Sequence, residues 1–542
     1  MYKIGRRRAD AATTLPRRLV GAAMSACLVV GLMLVVGGAS PAAAATGTIV
    51  SLTFDDANAD QLAPSQKLTS KGMAGTFFLN SGFIGAPNYL TLADVQSMKA
   101  AGHEIASHTI SHPDLAAISI DEAKRQICND RVNWANMGIP VANFAYPFAS
   151  STTAVETAVS ACGDNSARGL GDLKTRFSCT TCAVGETVPP ADKYFTKAPD
   201  EVESTWTLAD LEKSVTQAEA KNNGGWVQLT FHHICTGTAA TCPAPSTTPT
   251  IFNAFVDWLA TRTTLGTKVK TVGAVIGGTT KPAVAGPVAP AAAPGVNAIK
   301  NPSMETFNAA TGLPQCYLAG GYGSNTAAWA VSKAAHTGTS AVQLTVSNYV
   351  DGDAKLVPSL DLGECAPTVT AGTAYTIGEW YTSTAPTQFA LYYRTANGSW
   401  NYWTSSPWFA SSAAYAQASW VTPAMPANAT ALSFGLNLFS NGTLTTDDMS
   451  MIAPGAAPAA LRSTGPSASI EQALAPTPMS DKPGVNGSGS SKHKGDTVSQ
   501  HDTVPGPTQP RSGRAGKSAD LGFAPGDVVL QPFVVSPELA RG

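Results

Sequence analysis

The 542-residue chain is expected to hold two folded regions of different class: an α/β region with parallel strands, then an all-β antiparallel sandwich. Three observations predict this. Up to about residue 278, strand-like runs alternate with helix-like ones. Residues 281–295 form a Pro/Ala linker, semi-stiff and extended, within an inter-domain stretch placed at 281–296. Residues 297–452 then carry many short alternating apolar runs split by turn residues, and helix-period patterns are scarce. From 453 onward Ala, Pro, Gly and Ser dominate, which reads as a mostly disordered tail to 542.

Residues 1–45 read as a secretory signal. Arg6, Arg7, Arg8, Arg17 and Arg18 form a basic start, Leu19 to Val36 is largely apolar, and Pro41 precedes a run of alanines suited to cleavage. No later stretch is long and apolar enough to span a membrane. Six of the cations sit in these 45 residues, so the remainder is more acidic than the formal charge of −2 suggests. No basic patch argues for nucleic acid. An exported monomer is expected. Once Cys27 leaves with the signal, eight cysteines remain, an even number that suggests disulfides in an exported chain. Proximity pairs Cys179 with Cys182, Cys235 with Cys242 and Cys316 with Cys365, leaving Cys128 for Cys162. Cys179 and Cys182 also have the spacing of half a zinc knuckle, but no second such pair exists.

In the α/β region the strand-like pieces are 48–54, 73–80, 103–106, 141–146, 226–232 and 269–276. Helix-like pieces include 60–71, 91–101, 119–137, 207–222 and 250–263, with Thr91 as an N-cap and Gly102 past a helix end. The first strand is apolar or β-branched and stops on Asp55 and Asp56. Two adjacent buried anions are costly unless a cation or proton is shared between them. Strand alternation points them to opposite sides, which suggests that their roles differ, with one acid for a metal and one for a proton. A solvated turn is the plainer reading of the octamer alone. His108 and His112 lie four apart, so a helical turn would place both imidazoles on one face. Two imidazoles and a carboxylate form a three-ligand zinc set with a position left for water.

Thr53-Phe54-Asp55-Asp56, His108-Thr109-Ile110-Ser111-His112, Phe144-Ala145-Tyr146-Pro147-Phe148 and Leu229-Thr230-Phe231-His232 together resemble the polysaccharide deacetylase family, carbohydrate esterase family four. The resemblance covers roughly residues 47–278, within a domain placed at 46–280. It implies a distorted (β/α) barrel with its site at the C-terminal strand ends. It further implies a divalent metal, zinc first and cobalt or another divalent ion next, held by Asp56, His108 and His112. Asp55 would act as general base and His232 as general acid. The backbone N–H of Phe148, after Pro147, would bind the oxyanion. Tyr146 would floor the cleft, and Leu229 and Trp226 would line an acetyl pocket. His103 and His233 are read as structural.

The sequence also departs from the family pattern. Ala57 stands where Gly is usual, and Ala145 where an arginine often orients the base; Arg168 is offered as its substitute. The Asp-x-x-Asp-Trp motif has no convincing match, since Trp206 lacks the acidic spacing. The implied function is an exported hydrolase of N-acetylglucosamine polymers, with acetylxylan, a non-catalytic polysaccharide binder and a small cyclic amide hydrolase as alternatives. The second region is dense in aromatics, among them Trp400, Tyr402, Trp403 and Trp408. With its opening Asn301-Pro302 and closing Asp447-Asp448, it loosely resembles a jelly-roll carbohydrate-binding module; a purely structural sandwich is weighed equally.

Overall fold

Strand β1 (Ile49–Asp55) is buried from Val50 to Asp55 and lies inside a parallel sheet. The computed structural model describes residues 47–455, save 178, 222, 223 and 240. The signal read at 1–45 and all but the first three residues of the tail read from 453 lie outside them. After β1 come α1 (Leu62–Ser70), β2 (Thr76–Leu79), α2 (Leu92–Ala100), β3 (Glu104–Ser107), α3 (Ile120–Asn136), β4 (Asn143–Ala145), α4 (Thr153–Cys162), β5 (Ser166–Arg168), α5 (Leu208–Glu219) and β6 (Trp226–Phe231). A short ladder of β7 (His233–Ile234) and β8 (Ser246–Thr247) follows, then α6 (Pro249–Thr263), β9 (Lys268–Val269) and α7 (Val272–Ile276). The main sheet runs β5-β4-β3-β2-β1-β6, with β9 also paired to β1, and every pairing is parallel. This curved sheet with its helices is the distorted barrel.

Local chemistry explains the element ends. Thr91 accepts from Asp94 N while Asp94 accepts from Thr91 N, a reciprocal cap on α2. Ser119, Thr152 and Thr248 cap α3, α4 and α6 through their side chains. Residues 269–276 do not continue as the expected strand. Thr271 caps a helical turn by accepting from Ala274 N, so β9 stops at Val269. Strand β5 was not expected from the sequence; it is three residues long and carries no apolar alternation.

The register places function at one end. Phe54 pairs with Phe231, so Asp55 and His232 come next on neighbouring strands, and Ala145 pairs with Arg168. Odd residues of β1 and even residues of β6 line the barrel interior. The alternate set, including Val50, Leu52, Phe54, Leu229 and Phe231, packs under the helices in one core. There Phe54 stacks on Phe77 at 4.4 Å and Phe252 meets Phe231 edge-on at 5.3 Å. Such ring pairs contribute about 0.5–1.5 kcal/mol each beyond buried area.

The second region is a sandwich of two five-stranded antiparallel sheets. One runs β10-β13-β18-β15-β16 and the other β11-β12-β19-β14-β17. The strands are β10 (Tyr317–Tyr322), β11 (Thr326–Ser332), β12 (Ala341–Ser347), β13 (Asp353–Pro358), β14 (Thr376–Ser383), β15 (Gln388–Thr395), β16 (Trp400–Ser405), β17 (Ser412–Val421), β18 (Ala429–Leu438) and β19 (Gly442–Ile452). The aromatics divide as the pleat requires: Trp400 is buried, Trp403 packs against the inter-sheet core, and Trp408 is 56% exposed. The four expected disulfides form: Cys128–Cys162, Cys179–Cys182, Cys235–Cys242 and Cys316–Cys365. The linker is tied down: Arg131 donates to Lys281 O at 3.0 Å, and Gly286 N donates to Asn129 Oδ1 at 2.8 Å.

Glu379, on β14, is a buried carboxyl, and burial pushes its pKa up to about 8. The native state therefore holds a proton that the unfolded chain releases near the ordinary glutamate value. This group's contribution to stability is lost as pH rises from about 4.5 to about 8. Glu379→Gln is expected to raise the urea midpoint at pH 8 more than at pH 5; an equal shift at both would contradict this protonation.

Candidate metal centre

Asp56, His108 and His112 present ligand atoms that all lie within 4.8 Å of one another. Asp56 Oδ1 is 3.3 Å from His108 Nε2 and 3.2 Å from His112 Nε2. His108 Nδ1 is 2.9 Å from Ala145 O. A carbonyl only accepts, so Nδ1 carries the proton and the lone pair of Nε2 faces Asp56. Asp56 Oδ1 is buried and has no hydrogen-bond partner. Acceptors turned on one point in a buried mouth call for a cation. Zinc bonds of about 2.0–2.1 Å in tetrahedral geometry would separate ligand atoms by about 3.3 Å, which matches the two observed edges. The residues present thus fit a divalent ion.

The charges agree with this arrangement. Burial opposes the Asp56 charge, but His112, His108 and His232 together hold the carboxyl far below the usual range. Burial pushes His112 down to about 4 despite the Asp56 carboxylate, so its imidazole is neutral near pH 7. The backbone is bent to reach this geometry. Asp56 (φ 78), Ala57 (φ 63), Thr109 (φ 70) and His112 (φ 59) are left-handed. Each such non-glycine residue costs about 1–2 kcal/mol. That cost explains why Gly suits the position of Ala57. It also corrects the expectation of opposed acids. The strand ends at Asp55 and the turn swings Asp56 round, so both carboxylates reach His232 Nε2, at 4.0 and 3.9 Å.

Asp55 is distinguished from Asp56 by its partner. Arg168, on β5, donates through Nη2 to Asp55 Oδ2 and through Nη1 to Thr230 Oγ1 at 2.8 Å. Its guanidinium lies over the Phe78 ring. Arg168 thus stands one strand later than Ala145, paired with it in register and bound to Asp55. Asp55 Oδ1 and His232 Nδ1 are buried without hydrogen-bond partners. Pro147 opens a short turn in which Phe148 is left-handed, with its exposed ring 4.7 Å from His112.

Three expected pocket residues are elsewhere. Tyr146 is buried on the outer face of the sheet and donates to Tyr194 O at 2.7 Å, so it floors no cleft. Leu229 has the wrong parity and packs under the helices. Trp226 faces the interior but at the far end of β6, where its Nε1 donates to Ser51 Oγ at 2.9 Å. Six steps along the chain separate it from His232, about 20 Å. His103 bonds Thr69 and Gly75 N, and His233 bonds Asp60, as structural histidines do. A second grouping, Asp60, His233 and Cys235, is ruled out as a thiolate site because Cys235 is in a disulfide.

The sequence reading missed Glu201, whose Oε2 is 3.9 Å from His232 Nε2, and Asn80, whose amide donates to His108 O and Thr109 O. It also missed Asp130, which accepts from Ser107 Oγ at 2.6 Å beside His108. Thr230 had a signal, since alternation places it two residues before His232 on the inner face. Glu201 had none, because its loop carries no periodicity.

Residues 43–166 match the family model described as polysaccharide deacetylase, as the motifs implied. A chitin deacetylase of Arthroderma benhamiae is 43% identical over 75 residues, 14% of this chain and 19% of that protein. The chain thus spans about a fifth of that curated relative's length. Among solved structures, a family 4 carbohydrate esterase from Streptomyces lividans in complex with acetate is 16% identical, with TM-score 0.28, covering 42% of this chain and 93% of that one. A family 4 pseudoenzyme from Bacillus anthracis is 16% identical, with TM-score 0.29, covering 43% and 66%. Among the described residues no helix is long and apolar enough to cross a membrane.

Removing Arg168 would leave Asp55 as an uncompensated buried charge. Arg168→Leu is expected to destabilise the fold by about 3–5 kcal/mol in urea unfolding. A loss under about 1 kcal/mol would mean the pair is not formed.

Proposed function

We propose that this chain, with a polysaccharide deacetylase match over residues 43–166, is an exported, metal-dependent deacetylase of an N-acetylglucosamine polysaccharide. The observation that carries the reading is the convergence of Asp56, His108 and His112, with Asp55 and His232 flanking the same opening. The three ligands would hold a divalent ion, zinc by its N/O donor set. Such an ion supplies Lewis acidity toward an acetyl carbonyl and a water acidic enough to attack it.

The chain's own groups then divide the proton work. Arg168 occupies Asp55 Oδ2, which leaves Oδ1 to take a proton from the attacking water. His232 Nε2 stands within 4.0 Å of that acid and gives a proton to the departing amine. A base and an acid at one opening are what an unactivated amide requires. A mere binder needs neither, which favours catalysis over a scaffold role. The Phe148 N–H would meet the developing oxyanion. The choice of N-acetyl substrate is supported by the chitin deacetylase relative. The sandwich, with exposed Trp408 beside Phe439, would contact polysaccharide through ring faces.

Acetate release over chitin oligomers, peptidoglycan and acetylxylan tests this reading. Release is expected from an N-acetylglucosamine polymer, to be abolished by a strong chelator and restored by zinc or cobalt. Asp55→Asn is expected to keep the metal and lose at least about 100-fold in turnover. Chelator-insensitive release would overturn the mechanism, and release from acetylxylan alone would move the substrate to an ester.

A further inference from the structure

The segment 108–112 carries two of the three proposed ligands and holds two left-handed residues, Thr109 and His112. Strained backbone of this kind persists only where its surroundings over-determine it. Part of those surroundings comes from the sandwich, almost 300 residues later in the chain. Ile110, midway between the two histidines, is 2% exposed and sits between two glycines. On the barrel side, Gly82 N donates to Ile110 O at 3.1 Å. On the sandwich side is Gly398, in the turn between β15 and β16. A Cβ at Gly398 would lie 2.8 Å from Ile110 Cγ2 and 3.1 Å from Leu362 Cδ2, so the contact has no room for a side chain.

Two hydrogen-bond chains run alongside. Leu362 N donates to Glu122 Oε1 at 2.7 Å, and Gln126 Nε2 donates to that same oxygen at 3.3 Å and to Ser111 Oγ at 2.9 Å. Ser111 N donates back to Gln126 Oε1 at 3.2 Å, one residue before His112. On the other side Asn133 Nδ2 donates to Asn397 O at 2.7 Å and to Ser81 Oγ at 2.9 Å, next to the Asn80 that holds His108 O. Helix α3 is therefore a splint. Its Glu122 and Asn133 bond the sandwich, Gln126 bonds Ser111 of the ligand segment, and Asn133 also bonds Ser81 beside Asn80.

We infer that the sandwich is a structural part of the metal centre, holding residues 108–112 in their ligating shape through Ile110, Gln126 and Asn133 as positioning residues. This rests on the metal-site reading above. It departs from the picture of a binding module that could be removed without touching the barrel's chemistry.

The test uses the full chain and two readouts that need no turnover: the zinc dissociation constant by competition titration, and hydrogen exchange of residues 108–112 in the metal-free chain. Gln126→Leu breaks one relay within α3, and Gly398→Leu wedges the turn off Ile110. Each is expected to weaken zinc binding about 10-fold or more and to speed exchange at 108–112. Phe252→Ala, on the buried face of α6, serves as the control; it should lower thermal stability yet leave zinc affinity within about twofold of wild type. Should Gly398→Leu fail to fold, Gln126→Leu alone decides. Variants that bind zinc as wild type does would overturn the inference and leave the site intact. A wild-type chain that binds no zinc would overturn the site and this inference together.

Discussion

Asp56 Oδ1 facing two imidazole nitrogens at just over 3 Å is the constraint around which the barrel mouth is built. Acceptors that close in a water-poor mouth repel unless positive charge lies between them. A divalent ion would supply that charge and satisfy all three groups at once. Much of the local structure serves this arrangement. The Ala145 carbonyl selects the His108 tautomer, Asn80 grips the carbonyls of His108 and Thr109, and Asp130 anchors Ser107 just before them. The left-handed turn at Asp56 and Ala57 is unfavourable in itself and makes sense only as the means of aiming the carboxylate.

The parallel sheet supplies the rest by register. Six strands end at one rim, so residues far apart in sequence meet there: Asp55 from β1, Arg168 from β5, His232 after β6. The two adjacent acids differ only in neighbours. One is turned toward three imidazoles, the other toward a guanidinium. The division of roles proposed for them rests on that difference in surroundings, with no difference in residue type.

Much of this was legible in the sequence. The α/β alternation, the sandwich, the disulfide pairs and the Asp-Asp and His-x-x-x-His signals each rest on local pattern, and local pattern is what sequence shows directly. Errors came where three-dimensional parity or distance along a strand decided the matter. Leu229 and Trp226 lie on the right strand, but one faces the helices and the other sits at the wrong end. Tyr146 follows an inward residue and so must face out. Glu201 reaches the site from an irregular loop with no periodicity to reveal it. The 269–276 stretch looked like a strand because its valines and isoleucine suit one, yet Thr271 and Gly277 bracket it as a helical turn. The dependence of the ligand segment on Gly398 has no sequence signature, since it links positions nearly 300 residues apart.

The central claim is that one acid and two imidazoles share a divalent ion. Anomalous diffraction at the zinc edge, on crystals of the full chain grown with zinc, tests it most directly. The account predicts a single strong peak at about 2.0–2.2 Å from Asp56 Oδ1, His108 Nε2 and His112 Nε2. No peak there, or a peak at Asp60 and His233 instead, would contradict it.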